Sequence, residues 1–218
     1  MSIKITLRRN IEFSPFRKQL LEICSFPIQG NLILCSGYIW EGSTYSVLND
    51  DLLAAIKKGL CGNKIICVAG KLQTKPVNWV QHYKDFVNKI SSHGISVEAK
   101  VAPRRNWHAK IAIRMNSKNQ PIVAIVGSSN LTGPAFGENR YAWNYECDVT
   151  LWSDKEQWDH VLDNHTDQTE NDPFTSIETV LDPNKPNQPD IDERLNVLVE
   201  DIYRDSENFV DLTDYNGE

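Results

Sequence analysis

Three short runs in this chain are apolar without a break, and they constrain its fold more than any other feature. "GNLILCSGYIW" (30–40), "NKIICVAG" (63–70) and "PIVAIVGSSN" (121–130) each have the length and character of a buried strand. Between the first two lies "LNDDLLAAIKKGL" (48–60), a helix for which Asn49 or Asp50 is the cap and Gly59 marks the approach to its end. After the second comes "VNWVQHYKDFVNKISSHG" (77–94), an amphipathic helix with Trp79, Tyr83, Phe86, Val87 and Ile90 on one stripe, closing on a glycine. "ISVEAKVA", "WHAKIAIRM", "PIVAIVGSSN" and "YECDVTLW" then follow as four strands, with a turn at "NSKNQ" between the second and third. Strand, helix, strand, helix and several strands describe an α/β fold, a mixed β-sheet flanked by helices. The opening residues read as polar and receive no element, and "SDKEQWDHVLDN" (153–164) is expected to form a helix that closes this body.

The predicted organisation is a body over residues 1–165, a linker over 166–190 rich in Pro, Asn and Asp, and an acidic C-terminal tail over 191–218. Ile191, Leu195, Leu198 and Ile202 recur at helical spacing in that tail, with acids around them. The net charge of −6 hides a division. From residue 163 onward there are 16 Asp and Glu against 3 Lys and Arg, whereas residues 1–162 hold 13 acids against 20 bases. A basic body can attract a polyanion. Two readings of the tail stand: a solvated segment or a helix that docks on the body or on a second copy, or a nucleic-acid mimic lying over a basic groove.

A chain of 218 residues buries enough core to fold without disulfides or metal. Its five cysteines are odd in number and share no CxxC spacing, so they read as reduced side chains, with Cys35, Cys67 and Cys147 inside apolar runs. The N-terminus has no apolar signal-peptide core, and no run approaches the ~18 apolar residues of a membrane span. A cytoplasmic location with no membrane partner is the expectation.

Side chains two apart on a strand share a face. In "WHAKIAIRM", His108, Lys110, Ala112 and Arg114 therefore point one way, while Trp107, Ala109 and Ile111 point toward core. Burying the Lys110 ammonium without an anion is costly, which disfavours a purely structural role. His82 and Lys84 carry the same HxK letters but lie on a helix, about 200° apart around its axis, and cannot converge on one ligand.

"HAK" at 108–110, "GSSN" at 127–130 and "NYE" at 144–146 together resemble the phospholipase D superfamily. Its signature is HxK, usually an Asp after four further residues, then GSxN. The match covers roughly residues 105–150 and is nearest to the nuclease-like branch, with a single HxK per chain and a Glu in a following N-x-E. One position departs from the pattern: Met115 stands where the Asp is usual, and no acid lies between Lys110 and Gly127.

The resemblance implies a metal-independent phosphodiesterase without cofactor, a nuclease working through a phosphohistidine. His108 would be the nucleophile. Lys110 and Asn130, helped by Ser128, would hold the phosphoryl oxygens. Glu146 would accept a hydrogen bond from the other ring nitrogen of His108. Arg105 and Arg114 would contact substrate phosphates. A second imidazole must protonate the leaving oxygen, so two chains are expected to meet as a homodimer. The partner is nucleic acid, DNA ahead of RNA, with Trp107 or Trp143 able to stack on bases. No base-reading module is present, so weak sequence preference or a separate specificity subunit is expected. The alternatives are a non-catalytic nucleic-acid-binding member of the fold and a phospholipid hydrolase or transferase.

Overall fold

The structure is a computed structural model, and it describes residues 2–70, 79–102, 107–138, 142–153, 176–180, 191–206 and 208–215. The described strands form one mixed sheet in the order β8-β1-β7-β6-β5-β2-β3-β4-β9. Strands β2 (Leu32–Ser36), β3 (Lys64–Ala69) and β4 (Ser96–Val101) are parallel, joined through the helices α2 (Asp50–Leu60) and α3 (Trp79–Ser92). On the other side of β2 the pairing turns antiparallel through β5 (Lys110–Met115), β6 (Pro121–Gly127), β7 (Glu146–Trp152) and β1 (Ser2–Arg8). The α/β class with helices flanking a mixed sheet is thus the observed one.

One face of the sheet is covered by α1 (Pro15–Ser25), α2 and α3, which bury Phe16, Leu20, Ile23, Leu52, Ile56, Tyr83, Phe86 and Ile90 against Leu34, Cys67, Ala112 and Ile125. Local chemistry sets the ends of these helices. Ser14 Oγ accepts from the Arg17 amide ahead of Pro15, and Asn49 Oδ1 accepts from the Leu52 amide at 3.0 Å, with Asp50 and Asp51 in the first turn of α2 and Lys57 and Lys58 in its last. Gly59 is not the terminal residue. A methyl there would lie 1.8 Å from the Cys24 carbonyl oxygen, so it allows α1 and α2 to touch, and Cys61 takes the left-handed capping position at φ 48°. Tyr83 places its hydroxyl 2.9 Å from the Cys67 carbonyl and anchors α3 to β3.

Three segments differ from the expectation. The polar opening contains β1, whose Ile3, Ile5 and Leu7 alternate with Lys4, Thr6 and Arg8, and it pairs with β7 along its whole length. The expected linker contains β8 (Ser176–Val180), antiparallel to β1. The expected tail is built into the same sheet. Helix α5 (Ile191–Ser206) lays Leu195, Val199 and Ile202 on the second face against Ile33, Val68, Ile111 and Ile113, and β9 (Val210–Asp211) pairs with β4. The helix expected at 153–164 lies outside the described residues apart from Ser153. Among the described residues no helix is long and apolar enough to cross a membrane.

Cys24, Cys35 and Cys67 are buried and free, and burial pushes the Cys24 thiol up to about 12. Cys147, read as part of an apolar run, is exposed: it lies on the second face at the start of β7, opposite Leu7, which is itself exposed there.

Because α5 supplies three buried apolar side chains and the same segment carries β8 and β9, deleting the residues beyond 165 should destabilise the fold by about 5 kcal/mol or more. Urea denaturation of the truncated chain checks this. A midpoint unchanged from that of the full chain would show that α5 does not contribute to the core.

Candidate active site

The chemistry-bearing residues collect where β1, β2, β3 and β6 end and where β5 and β7 begin. A single row crosses the sheet there. Ser36 ends β2, Lys110 opposes Gly127, Gly127 opposes Asp148, and Asp148 opposes Thr6. Residues directly opposed in antiparallel strands project to the same face. The row therefore presents a hydroxyl, an ammonium, no side chain, a carboxylate and a second hydroxyl on one surface. Lys110 is 9 % exposed and Asp148 2 %.

Gly127 is needed for this arrangement. A methyl there would stand 2.0 Å from Asp148 Oδ1 and 2.7 Å from its Cα. Without it, the Asp148 carboxylate lies over the strand between itself and Lys110. It also holds the turn that follows: Oδ1 accepts from the Ser129 amide at 3.2 Å and Oδ2 from the Ser129 hydroxyl at 2.6 Å. Burial, more than the neighbouring Glu146, pushes the Asp148 carboxyl up to about 6, against the Ser129 bonds that favour its ionised form. Burial likewise pulls Lys110 below its ordinary value, with Glu146 and then Asp148 opposing.

The turn brings Ser128 and Asn130 to the same place. Ser128 Oγ donates to Glu146 Oε2 at 2.5 Å, and Asn144 Nδ2 donates to Oε1 at 2.9 Å. Ser36 Oγ lies 2.7 Å from the Tyr38 carbonyl and 3.3 Å from Asn130 Oδ1, and accepts from the Leu131 amide at 3.4 Å, tying the end of β2 to the turn. His108 precedes β5 and is exposed, with no hydrogen-bond partner among the described residues. The backbone before it is clamped: the Trp107 amide donates to the Gly70 carbonyl at 3.0 Å, and a methyl at Gly37 would meet the Trp107 carbonyl oxygen at 2.0 Å.

Lys110, Ser128, Asn130 and Glu146 are thus gathered at one end of the sheet, with His108 at its open side. The Glu146 oxygens accept from Ser128 and Asn144 rather than from His108, so the expected imidazole–carboxylate bond is replaced. Arg114, expected to contact substrate, does not join the cluster. It shares the Lys110 face but is fully buried further along β5, where its guanidinium donates to the carbonyls of Gly30, Ile28 and Gly59. Arg105 lies outside the described residues. Trp107 packs edge-on to Phe209, 5.9 Å between centroids, beneath α5. Trp143 lies 4.6 Å from the exposed Tyr145 ring and beneath Arg8.

Two charged residues of the site escaped the sequence reading. Arg8 on β1 pairs in register with Glu146 and is buried, donating to the carbonyls of Ala135 and Gly137 at 2.7 Å each. Burial lowers its pKa while Glu138 and Glu146 oppose. Asp148 is the other. The signal for it is the rule that pairs His108 with Lys110: Glu146 and Asp148 are also two apart on a strand. Among the described residues no group of three or more His, Cys, Asp or Glu side chains is placed to hold a metal ion.

No protein-family model matches this chain, and no curated protein matches it in sequence. Solved structures similar to it include the phosphatidylserine synthase of Haemophilus influenzae, at 12 % identity with a TM-score of 0.48 over 94 % of this chain and 46 % of that one. The polyphosphate kinase of Porphyromonas gingivalis matches at 12 % identity with a TM-score of 0.43 over 76 % of this chain and 24 % of its own. The yeast tyrosyl-DNA phosphodiesterase matches at 14 % identity with a TM-score of 0.39 over 68 % and 31 %. The chain spans less than half the length of each of these proteins.

Gly127→Ala is expected to cost about 1–3 kcal/mol, because the Asp148 backbone on the paired strand cannot retreat from the added methyl. Chemical denaturation of the variant measures this. A loss smaller than about 0.5 kcal/mol, the scatter of ordinary surface substitutions, would show that the two strands separate freely there.

Proposed function

We propose that this chain is a metal-independent phosphodiesterase of the phospholipase D superfamily, a nuclease that cleaves DNA in preference to RNA through a phosphohistidine. The observation that carries this reading is the convergence of Lys110, Ser128, Asn130 and Glu146 around the start of β5, beside an exposed His108. The Lys110 ammonium and the Asn130 amide offset charge on the phosphoryl oxygens as the transition state forms. A neutral His108 nitrogen attacks phosphorus, and the bond from phosphorus to the leaving oxygen breaks as a second imidazole delivers a proton to that oxygen. Water then attacks the phosphohistidine, its proton passes to that second imidazole, and the P–N bond breaks. Both histidines are restored.

This chemistry needs two imidazoles, and among the described residues the site holds one. The second is His108 of another copy, brought across a two-fold axis in a homodimer. Lys110 and the turn donors bind phosphate without reading bases, so sequence preference is weak or supplied by a separate subunit.

The decisive experiment is cleavage of labelled DNA and RNA in excess EDTA by the wild type and by His108→Ala, with sedimentation at the assay concentration. Cutting should survive EDTA, fall at least ~10³-fold in the variant as for other lost nucleophiles, and accompany a dimer mass. Binding of the panel without cleavage would favour a non-catalytic nucleic-acid-binding protein. Full activity from a monomer would overturn the two-histidine scheme.

A further inference from the structure

Asp148 takes no part in the two displacements, yet it is the carboxylate most deeply buried beside Lys110. We propose that Asp148 sets the charge, and with it the anion affinity, of the corner that receives the phosphodiester: protonated, it leaves the turn intact and the Lys110 charge free for the substrate, and ionised, it shares that charge. The identity of the anion rests on the phosphodiesterase reading; the proton coupling rests on geometry.

That geometry survives protonation. Asp148 Oδ1 accepts from the Ser129 amide, and Oδ2 lies 2.6 Å from the Ser129 hydroxyl. A proton on Oδ2 reverses the second bond, with the carboxyl donating and the hydroxyl accepting, while the amide bond stays. The turn bearing Ser128 and Asn130 is therefore held in both states, and only the charge changes.

The groups that face the carboxyl decide where it titrates. From β5 comes Lys110, from β6 Gly127 with no side chain, and from the turn Ser128 and Ser129. Glu146 stands two residues back on β7 beside Arg8, and Thr6 on β1 donates to the Asp148 carbonyl at 3.3 Å. Burial and then Glu146 oppose ionisation and prevail over the Ser129 hydroxyl and amide and the Ser128 backbone, which favour it, leaving the group near 6; the carboxylate in turn favours the charged form of Lys110. A phosphodiester keeps its single negative charge throughout that range, so the coupling originates in the protein.

The sign follows from linkage. A monoanion beside Asp148 favours its protonated form, so anion binding takes up a proton, and protonation tightens anion binding by the same factor. Affinity is greatest below the carboxyl's own pKa and falls as pH rises through it.

The test uses the full-length chain as His108→Ala, which removes turnover and the site's own imidazole, and follows the anisotropy of a short fluorescein-labelled single-stranded oligodeoxynucleotide at constant ionic strength. Binding should be about tenfold tighter at pH about 5 than at about 7.5, a coupling of ordinary size. Adding Asp148→Asn, whose amide keeps both Ser129 contacts without charge, should hold the low-pH affinity up to pH about 7.5. The two curves then meet at the acid end. Asp148→Ala loses the contacts as well as the charge and should bind more weakly than the Asn variant throughout, with its thermal midpoint reporting folding. Superimposable curves with and without Asp148→Asn, or no binding at the acid end, would overturn the proposal. A wild type that cuts nothing while the curves diverge as described would remove the nuclease reading and leave this one standing.

Discussion

The Lys110 ammonium lies almost out of water at the end of the sheet, where an unpaired cation is expensive, and the surrounding arrangement answers that expense. Two carboxylates face it from β7, the glycine between the strands clears the space for one of them, and the turn after that glycine is fastened to the same carboxylate. The compensation is incomplete, since burial lowers the Lys110 pKa despite both acids. Desolvation outweighs the two carboxylates at this ammonium, so their presence softens the cost of its burial without cancelling it.

Arg114 shows how position alone separates structural from chemical use of a cation. It lies four residues from Lys110 on the same face of β5, yet among the described residues its hydrogen-bond partners are carbonyls rather than carboxylates. These are main-chain carbonyls: Gly59 in the last turn of α2, at that helix's negative end, and Ile28 and Gly30 in the segment between α1 and β2. Arg8 repeats the pattern beside the site, with its guanidinium on the carbonyls around the short helix α4 (Gly133–Phe136). These arginines fasten helix ends to the sheet, and that rigidity fixes the row running from Ser36 to Thr6.

Patterns carried by local sequence were legible, and those set by distant pairing were not. The stripe of α3, the parallel strands β2 and β3, and the shared face of His108 and Lys110 follow from periodicities of 3.6 and 2. The strand β1 shows the same period of 2, but the charged residues on its alternate positions made it read as polar. The strand β8 has no such defence. Its five residues sit among prolines and acids, and what makes them a strand is the open edge of β1. The tail's acidity also misled: the acids of α5 describe its solvent side, while Leu195, Val199 and Ile202 decide where it goes. Of the two readings of the tail, the docked helix describes α5, which lies across the second face of the sheet. Asp148 stayed hidden because "ECDVTLW" reads as an apolar strand, and its inward position depends on the register with Gly127.

The departure from the phospholipase D signature at Met115 takes on a different meaning in this setting. Met115 ends β5 at the far end from His108, and its side chain is buried on the second face with Ile111, Ile113 and the apolar side of α5. An acid there would face hydrocarbon rather than Lys110, and desolvation would hold it protonated or unfold the packing around it. The carboxylates that Lys110 requires come from β7 instead, two residues apart and on the correct face. An apolar residue at 115 is therefore what the second core demands, and it takes nothing from the geometry around Lys110.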